Sequence, residues 1–121
     1  KIDFILSLCS PIENITPSKY QSEFVFFSNP LKDHNSKEEP KVEEYEKALK
    51  LLIHLTQRGV VYVHCLAGIE RSPLTCIGWL IIVKGLNPDE AYEYCKESHS
   101  STNPSLKHFK ILKEASSKMK S

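Results

Sequence analysis

Apolar residues recur along this chain with two different periods, and the switches between them mark out the elements. Ile2 to Leu8 is a short apolar run of strand length, read as a buried strand. Pro11 to Lys19 carries the breakers Pro11, Asn14 and Pro17 and reads as loop. Glu23 to Ser28 is a second strand. Asn29 to Pro40 is polar, holds two prolines and an Asp33-His34 pair, and shows no apolar periodicity. A loop of that length in a small domain commonly carries function. From Lys41 the spacing becomes helical: Val42, Tyr45, Leu49, Leu52, Ile53 and Thr56 line one face of an amphipathic helix that Arg58-Gly59 ends. Val60 to His64 is β-branched and reads as a buried strand. Pro73 opens an apolar helix that Gly85 closes. Asn87-Pro88-Asp89-Glu90 caps a further helix running to about Glu97. Asn103-Pro104 starts a last one, with Leu106, Phe109, Leu112 and Ala115 on its inner face. Neither repeats nor low-complexity segments occur.

Strands alternating with helices predict an α/β fold, a central and mostly parallel sheet flanked by helices. A reactive loop in such a sheet lies beyond the carboxyl end of a strand. With 121 residues, positions 1–121 form one domain. The chain starts abruptly in a strand-like segment without Met, so the expectation is an N-terminally incomplete domain.

Composition narrows the function classes. Sixteen basic and 15 acidic residues leave a net charge of +1, without the basic excess that nucleic-acid or membrane-surface binding favours. The longest apolar run, Leu74 to Val83, is broken by Thr75 and Gly78 and is too short to span a bilayer. The first residues lack the charged-then-apolar layout of a secretory signal. Four cysteines, Cys9, Cys65, Cys76 and Cys95, show neither a CxxC pair nor metal-ligand spacing. The expectation is therefore a monomer with reduced thiols in the cytoplasm, using no metal and no organic cofactor. Cys76 and Cys95 fall inside helices and read as structural.

The chemistry concentrates after the Val60–His64 strand, in His64-Cys65-Leu66-Ala67-Gly68-Ile69-Glu70-Arg71-Ser72-Pro73. A strand ends, a short Gly-containing loop follows, and a helix begins at Ser72-Pro73. Such a loop turns several backbone N–H groups inward, and the helix N-terminus adds its positive end, which together make an anion site. Cys65 stands at the edge of that field. Loops of this kind lower a thiol pKa by roughly one to five units, which favours the nucleophilic thiolate. Arg71 follows six positions after Cys65, and its planar fork can hold two phosphate oxygens at once. Ser72 can donate a hydrogen bond to the Cys65 sulfur as it leaves. His64 is expected to brace the loop backbone.

His64-Cys65, five residues, then Arg71-Ser72 resembles the signature of the protein tyrosine phosphatase superfamily. The Ser72-Pro73 ending and the short chain resemble its small dual-specificity branch, whose layout the elements from Ile2 to about Ala115 follow. That family's first strands would lie upstream of Lys1. The resemblance implies a cysteine-dependent phosphomonoester hydrolase acting on phosphotyrosine and on phosphoserine or phosphothreonine in proteins, through a Cys65 thiophosphate. Leu66, Ala67, Gly68, Ile69 and Glu70 would bind the substrate phosphate, with His34 at the rim. The family also needs a general acid on a separate loop, and Asp33, 32 positions before Cys65, matches in place and character. Glu38 and Glu39 are the substitutes if that loop is displaced. Asn103 would buttress the active-site loop, or cap the final helix. Cys9, at the end of the first strand, resembles the second cysteine with which some lipid-type relatives trap an oxidised nucleophile as a disulfide.

Glu70 departs from the small or polar residues common at its position. A carboxylate at the mouth would disfavour highly anionic substrates such as polyphosphoinositides. Two alternatives share the loop: a pseudophosphatase that binds phosphoproteins without hydrolysing them, and a glucan or other non-protein phosphatase, which the Cys-x-Ala-Gly core resembles.

Overall fold

The computed structural model describes residues 2–8, 25–31, 41–65 and 70–120. Three strands, β1 (Phe4–Ser7), β2 (Val25–Ser28) and β3 (Val61–His64), form a sheet of order β2-β1-β3. Both pairings are parallel, as the alternation of elements predicts. The registers Ser7 to Ser28 and Ser7 to His64 bring all three carboxyl ends level. Ladder bonds continue one step past that edge. Leu8 N–H donates to the His64 carbonyl (2.9 Å), Asn29 N–H to Ser7 (2.8 Å) and Leu31 N–H to Leu8 (3.0 Å). Leu8, Leu31 and Cys65 are thereby held along a single edge of the sheet.

Four helices are described: α1 (Val42–Thr56), α2 (Arg71–Val83), α3 (Pro88–Ser98) and α4 (Leu106–Lys120). Two of them cap themselves. Lys41 N–H, at the start of α1, donates to Glu44 Oε1 at 3.3 Å. Asn87 and Glu90 exchange side-chain and backbone bonds of 2.9 and 3.1 Å at the start of α3, the reciprocal capping box that the sequence predicts. Gly85, with φ +71°, takes the left-handed conformation just past α2 that a residue with a Cβ rarely adopts.

Helix α2 is apolar around most of its circumference because it packs against β3, α1, α3 and α4 together. Leu74, Ile77 and Ile81 of α2 meet Leu49 and Leu52 of α1 and Leu112 and Ala115 of α4, over Leu6, Leu8 and Leu31 from the sheet side. At Gly78 the three helices approach closely. A Cβ built there would stand 2.6 Å from a Leu49 methyl carbon and 3.0 Å from one of Leu112.

Two expectations are corrected. The Val60–His64 run is buried on one side only: Val61 and Val63 face the helices, while Tyr62 is 52% exposed. Among the described residues β3 is an edge strand with helices packed on a single face. The inner face of α4 holds at Phe109, Leu112 and Ala115, joined by buried His108 and Ser116, but not at Leu106, which is 71% exposed. Helix α4 also starts later than Asn103-Pro104, with Ser105 as its N-cap, its carbonyl accepting from Phe109 N–H and its hydroxyl from His108 N–H.

Candidate active site

The strand-to-helix junction around Cys65 forms the centre of the site. β3 delivers Cys65 to the sheet edge, and Glu70 and Arg71, five and six positions after it, open α2. Pro73 suits this first turn, where its missing N–H would have found no helical partner. The Cys65 sulfur lies over the α2 N-terminus. Ser72 N–H donates to Sγ at 3.4 Å, and Ser72 Oγ stands 3.4 Å from the same atom. One of the helix's orphan donors is thus spent on sulfur, in the place where the helix dipole favours negative charge.

Arg71 is buried, and its guanidinium is tied to the sheet edge. Its Nη1 donates to the Leu31 carbonyl at 3.2 Å and to the Leu8 carbonyl at 3.4 Å. Leu8 is the first residue beyond β1 and Leu31 the third beyond β2, so the ends of all three strands converge on Cys65 and Arg71. A guanidinium anchored in this way loses little further freedom when it meets an anion. Neither carbonyl carries a sequence signal, because any residue would supply it.

His64 is half-buried and stacks on Tyr62, ring centroids 5.8 Å apart. Burial holds its imidazole below the usual range, and a hydrogen bond with the Cys65 backbone pulls the other way. That bond places His64 against the loop backbone. Below the loop, Tyr45 of α1 is fully buried. Burial first, and the Glu70 charge second, push its phenol far up. Cys76 is pushed up to about 12, chiefly by burial, with the neighbouring thiols Cys95 and Cys65 adding to the effect. It lines a largely apolar cleft of about 350 Å³ whose walls include Leu52, Val61, Trp79 and Cys95. Cys95, shifted upward by burial, lies near Thr102 Oγ1 at 3.7 Å. Cys65, Cys76 and Cys95 are all free thiols.

The Glu70 side chain does not stand at the mouth. It is 4% exposed and turned away from its own helix. Its Oε2 accepts from Ser105 N–H at 2.7 Å, and its Oε1 lies 3.0 Å from His108 Nδ1. The second contact is off-axis for a hydrogen bond and acts as an ion pair when His108 is protonated. A carboxylate in the interior needs such partners, and one turned away from the mouth does not repel a polyanionic substrate there. Asn103 is exposed, and Ser105 does the capping. The sequence reading missed Ser105 and His108. A hint lay in Ser105 standing three residues before His108, a helix start without the usual acidic partner. Asp33, His34, Glu38, Glu39, Cys9 and Leu66 to Ile69 lie outside the described residues.

Relatives agree with this geometry. The chain is 29% identical over 91 residues to dual specificity protein phosphatase 1-B of Xenopus laevis, covering 74% of this chain and 24% of that protein. It is 43% identical over 48 residues to dual specificity protein phosphatase 5 of Rattus norvegicus, covering 40% of this chain and 12% of that one. The chain thus spans about a quarter or less of the length of these curated relatives. Among solved structures, the human tyrosine phosphatase-like serine/threonine/tyrosine-interacting protein superposes with a TM-score of 0.82 at 24% identity, over 99% of this chain and 80% of that one. Tk-PTP in its active form also gives 0.82, at 20% identity, over 96% and 79%. At such identities these two show the fold. The family model for the catalytic domain of dual specificity phosphatases matches residues 1–118. On that match, with a sheet, loop and helix arranged as described, the chain belongs to the dual specificity phosphatase catalytic-domain family.

Proposed function

We propose that this chain is a cysteine-dependent phosphatase of phosphorylated proteins, acting on phosphotyrosine and on phosphoserine or phosphothreonine. The observation that carries the reading is the Cys65 sulfur on the α2 N-terminus, receiving Ser72 N–H at 3.4 Å, beside an Arg71 whose guanidinium is preset by the Leu8 and Leu31 carbonyls. A phosphomonoester dianion bound there meets a nucleophile and a clamp that need no rearrangement.

In the first step the Cys65 thiolate attacks phosphorus. The S–P bond forms, the P–O bond to the leaving group breaks, and Asp33 delivers a proton to that oxygen. In the second step water attacks the thiophosphate, giving its proton to the Asp33 carboxylate. The S–P bond breaks, inorganic phosphate leaves and the sulfur departs as thiolate, received by Ser72. Arg71 and the loop N–H groups of Leu66 to Glu70 hold the equatorial oxygens through both steps. Asp33 enters through its spacing from Cys65 and the family resemblance, and Leu66 to Ile69 by lying between nucleophile and clamp. Balanced charge and the free thiols Cys65, Cys76 and Cys95 support a cytoplasmic monomer without a nucleic-acid or membrane partner. Among the described residues no helix is long and apolar enough to cross a membrane.

The test is hydrolysis of a small aryl phosphate in reductant without added metal, by this chain and by Cys65→Ser. Turnover that disappears in Cys65→Ser supports the reading. Phosphate or vanadate binding without turnover in either protein overturns it in favour of a phosphoprotein-binding module.

A further inference from the structure

Helices α1 and α3 each close their N-terminus with a carboxylate three residues into the helix, Glu44 and Glu90 respectively. Helix α4 is built differently. Ser105 caps it in the ordinary way, its hydroxyl accepting from His108 N–H at 3.3 Å. The reciprocal bond, from the cap's own N–H to an acid three positions on, has no local acceptor, because that position is His108. Glu70 supplies the acceptor from 35 residues away, at 2.7 Å, the shortest hydrogen bond of this cluster. The box that usually closes within four residues is therefore completed by the last residue of the active-site loop. Glu70 and His108 are both 4% exposed, and their 3.0 Å approach adds a charge contact in the interior, where it is poorly screened.

The same residue is fixed a second time through its backbone, since the Glu70 carbonyl accepts Leu74 N–H at 2.8 Å and so begins α2. Arg71 comes next in the chain. Its guanidinium is restrained on the sheet side by the Leu8 and Leu31 carbonyls. On the other side the Arg71 carbonyl accepts from Thr75 Oγ1 at 2.9 Å, and the residue before it reaches α4. We propose that Glu70 is a positioning residue: by completing the α4 cap with Ser105 and His108, it sets where Arg71 presents its guanidinium, so phosphate affinity depends on a contact made away from the pocket. The inference rests on the phosphate-site reading above and adds a determinant to it.

A misplacement on the order of 1 Å in a positioned group costs up to about a hundredfold. Glu70→Ala is accordingly expected to raise the dissociation constant for vanadate, and KM for an aryl phosphate, by about ten- to a hundredfold. Glu70→Gln keeps an acceptor for Ser105 N–H and recovers most of that loss. The decisive variant is the double substitution Glu70→Ala with His108→Glu. It restores a capping box inside α4 while leaving the loop untied. If Glu70 positions Arg71, the melting temperature returns toward that of the parent while vanadate affinity stays reduced. Recovery of affinity together with the melting temperature would overturn the proposal, showing that Glu70 serves helix stability alone. An unaltered vanadate dissociation constant in a folded Glu70→Ala protein would overturn it as well. Should Glu70→Ala fail to fold, Glu70→Gln and the double variant carry the same comparison. If the parent shows no Cys65-dependent turnover, the hydrolase reading fails separately, and vanadate affinity still judges Glu70.

Discussion

Gly78 is the position where the helical layer leaves no room, and replacing it with alanine measures how tightly that layer is packed. The added methyl would lie 2.6 and 3.1 Å from two Leu49 carbons and 3.0 Å from a Leu112 carbon. Comfortable carbon–carbon separations are about 3.5–4.0 Å, so Leu49 would have to retreat by roughly 1 Å. Both leucines are fully buried, which removes the option of swinging into solvent. Overpacking of this kind costs about 1–3 kcal/mol. Alanine in a helix interior returns about 1 kcal/mol over glycine. The net expectation is a loss of about 1 kcal/mol, or roughly 4 °C in melting temperature for a domain of this length. Urea and thermal unfolding read it directly. The reasoning also fixes a sign reversal. Leu49→Ala alone costs about 2–5 kcal/mol. In that background the Gly78→Ala methyl enters vacated space and stabilises by about 1 kcal/mol, so the two substitutions couple by about 2 kcal/mol. If Gly78→Ala stabilises equally in both backgrounds, the helices are not in the contact described and the argument fails.

Two further expectations follow from the ionisable groups. Burial depresses the His64 imidazole, so above its unfolded value of about 6.5 the ring is neutral in both states. As pH falls below that value the unfolded chain takes up a proton that the folded one resists, and stability is lost down to the folded pKa. His64→Gln should therefore lose less stability than the parent between about pH 6.5 and pH 5 in urea unfolding, and parallel profiles would contradict the assignment. Cys76, pushed up to about 12, and Cys95, also shifted upward, stay as thiols near neutrality. Brief iodoacetamide treatment at pH 7 followed by peptide mapping should find both unmodified in the folded chain. Early alkylation of either would mean that the interior around α2 opens more readily than its packing implies.

Much of this arrangement could be read along the chain. The parallel α/β layout, the helix closed by Gly85, the Asn87–Glu90 cap and the strand-loop-helix setting of Cys65 all appear where local spacing puts them. Each depends on groups within a turn or two of one another, whose backbone preferences and orphan hydrogen bonds are satisfied by sequence neighbours. That Arg71 lies close behind Cys65, with Ser72 against its sulfur, follows from the same locality.

Tertiary structure alone decided the direction of Glu70. A carboxylate in a loop reads as exposed unless something buried can receive it, and its receiver is a backbone N–H 35 positions away. The same contact meets α4 at Ser105, its cap, and gives a buried acid the partner it needs. The anchoring of Arg71 on the Leu8 carbonyl spans 63 positions and uses an atom that every residue possesses, so no residue type could announce it. Local spacing thus determined which elements exist and where Cys65, Arg71 and Ser72 stand in them, while packing decided which carbonyls hold the Arg71 guanidinium and which helix the Glu70 side chain reaches.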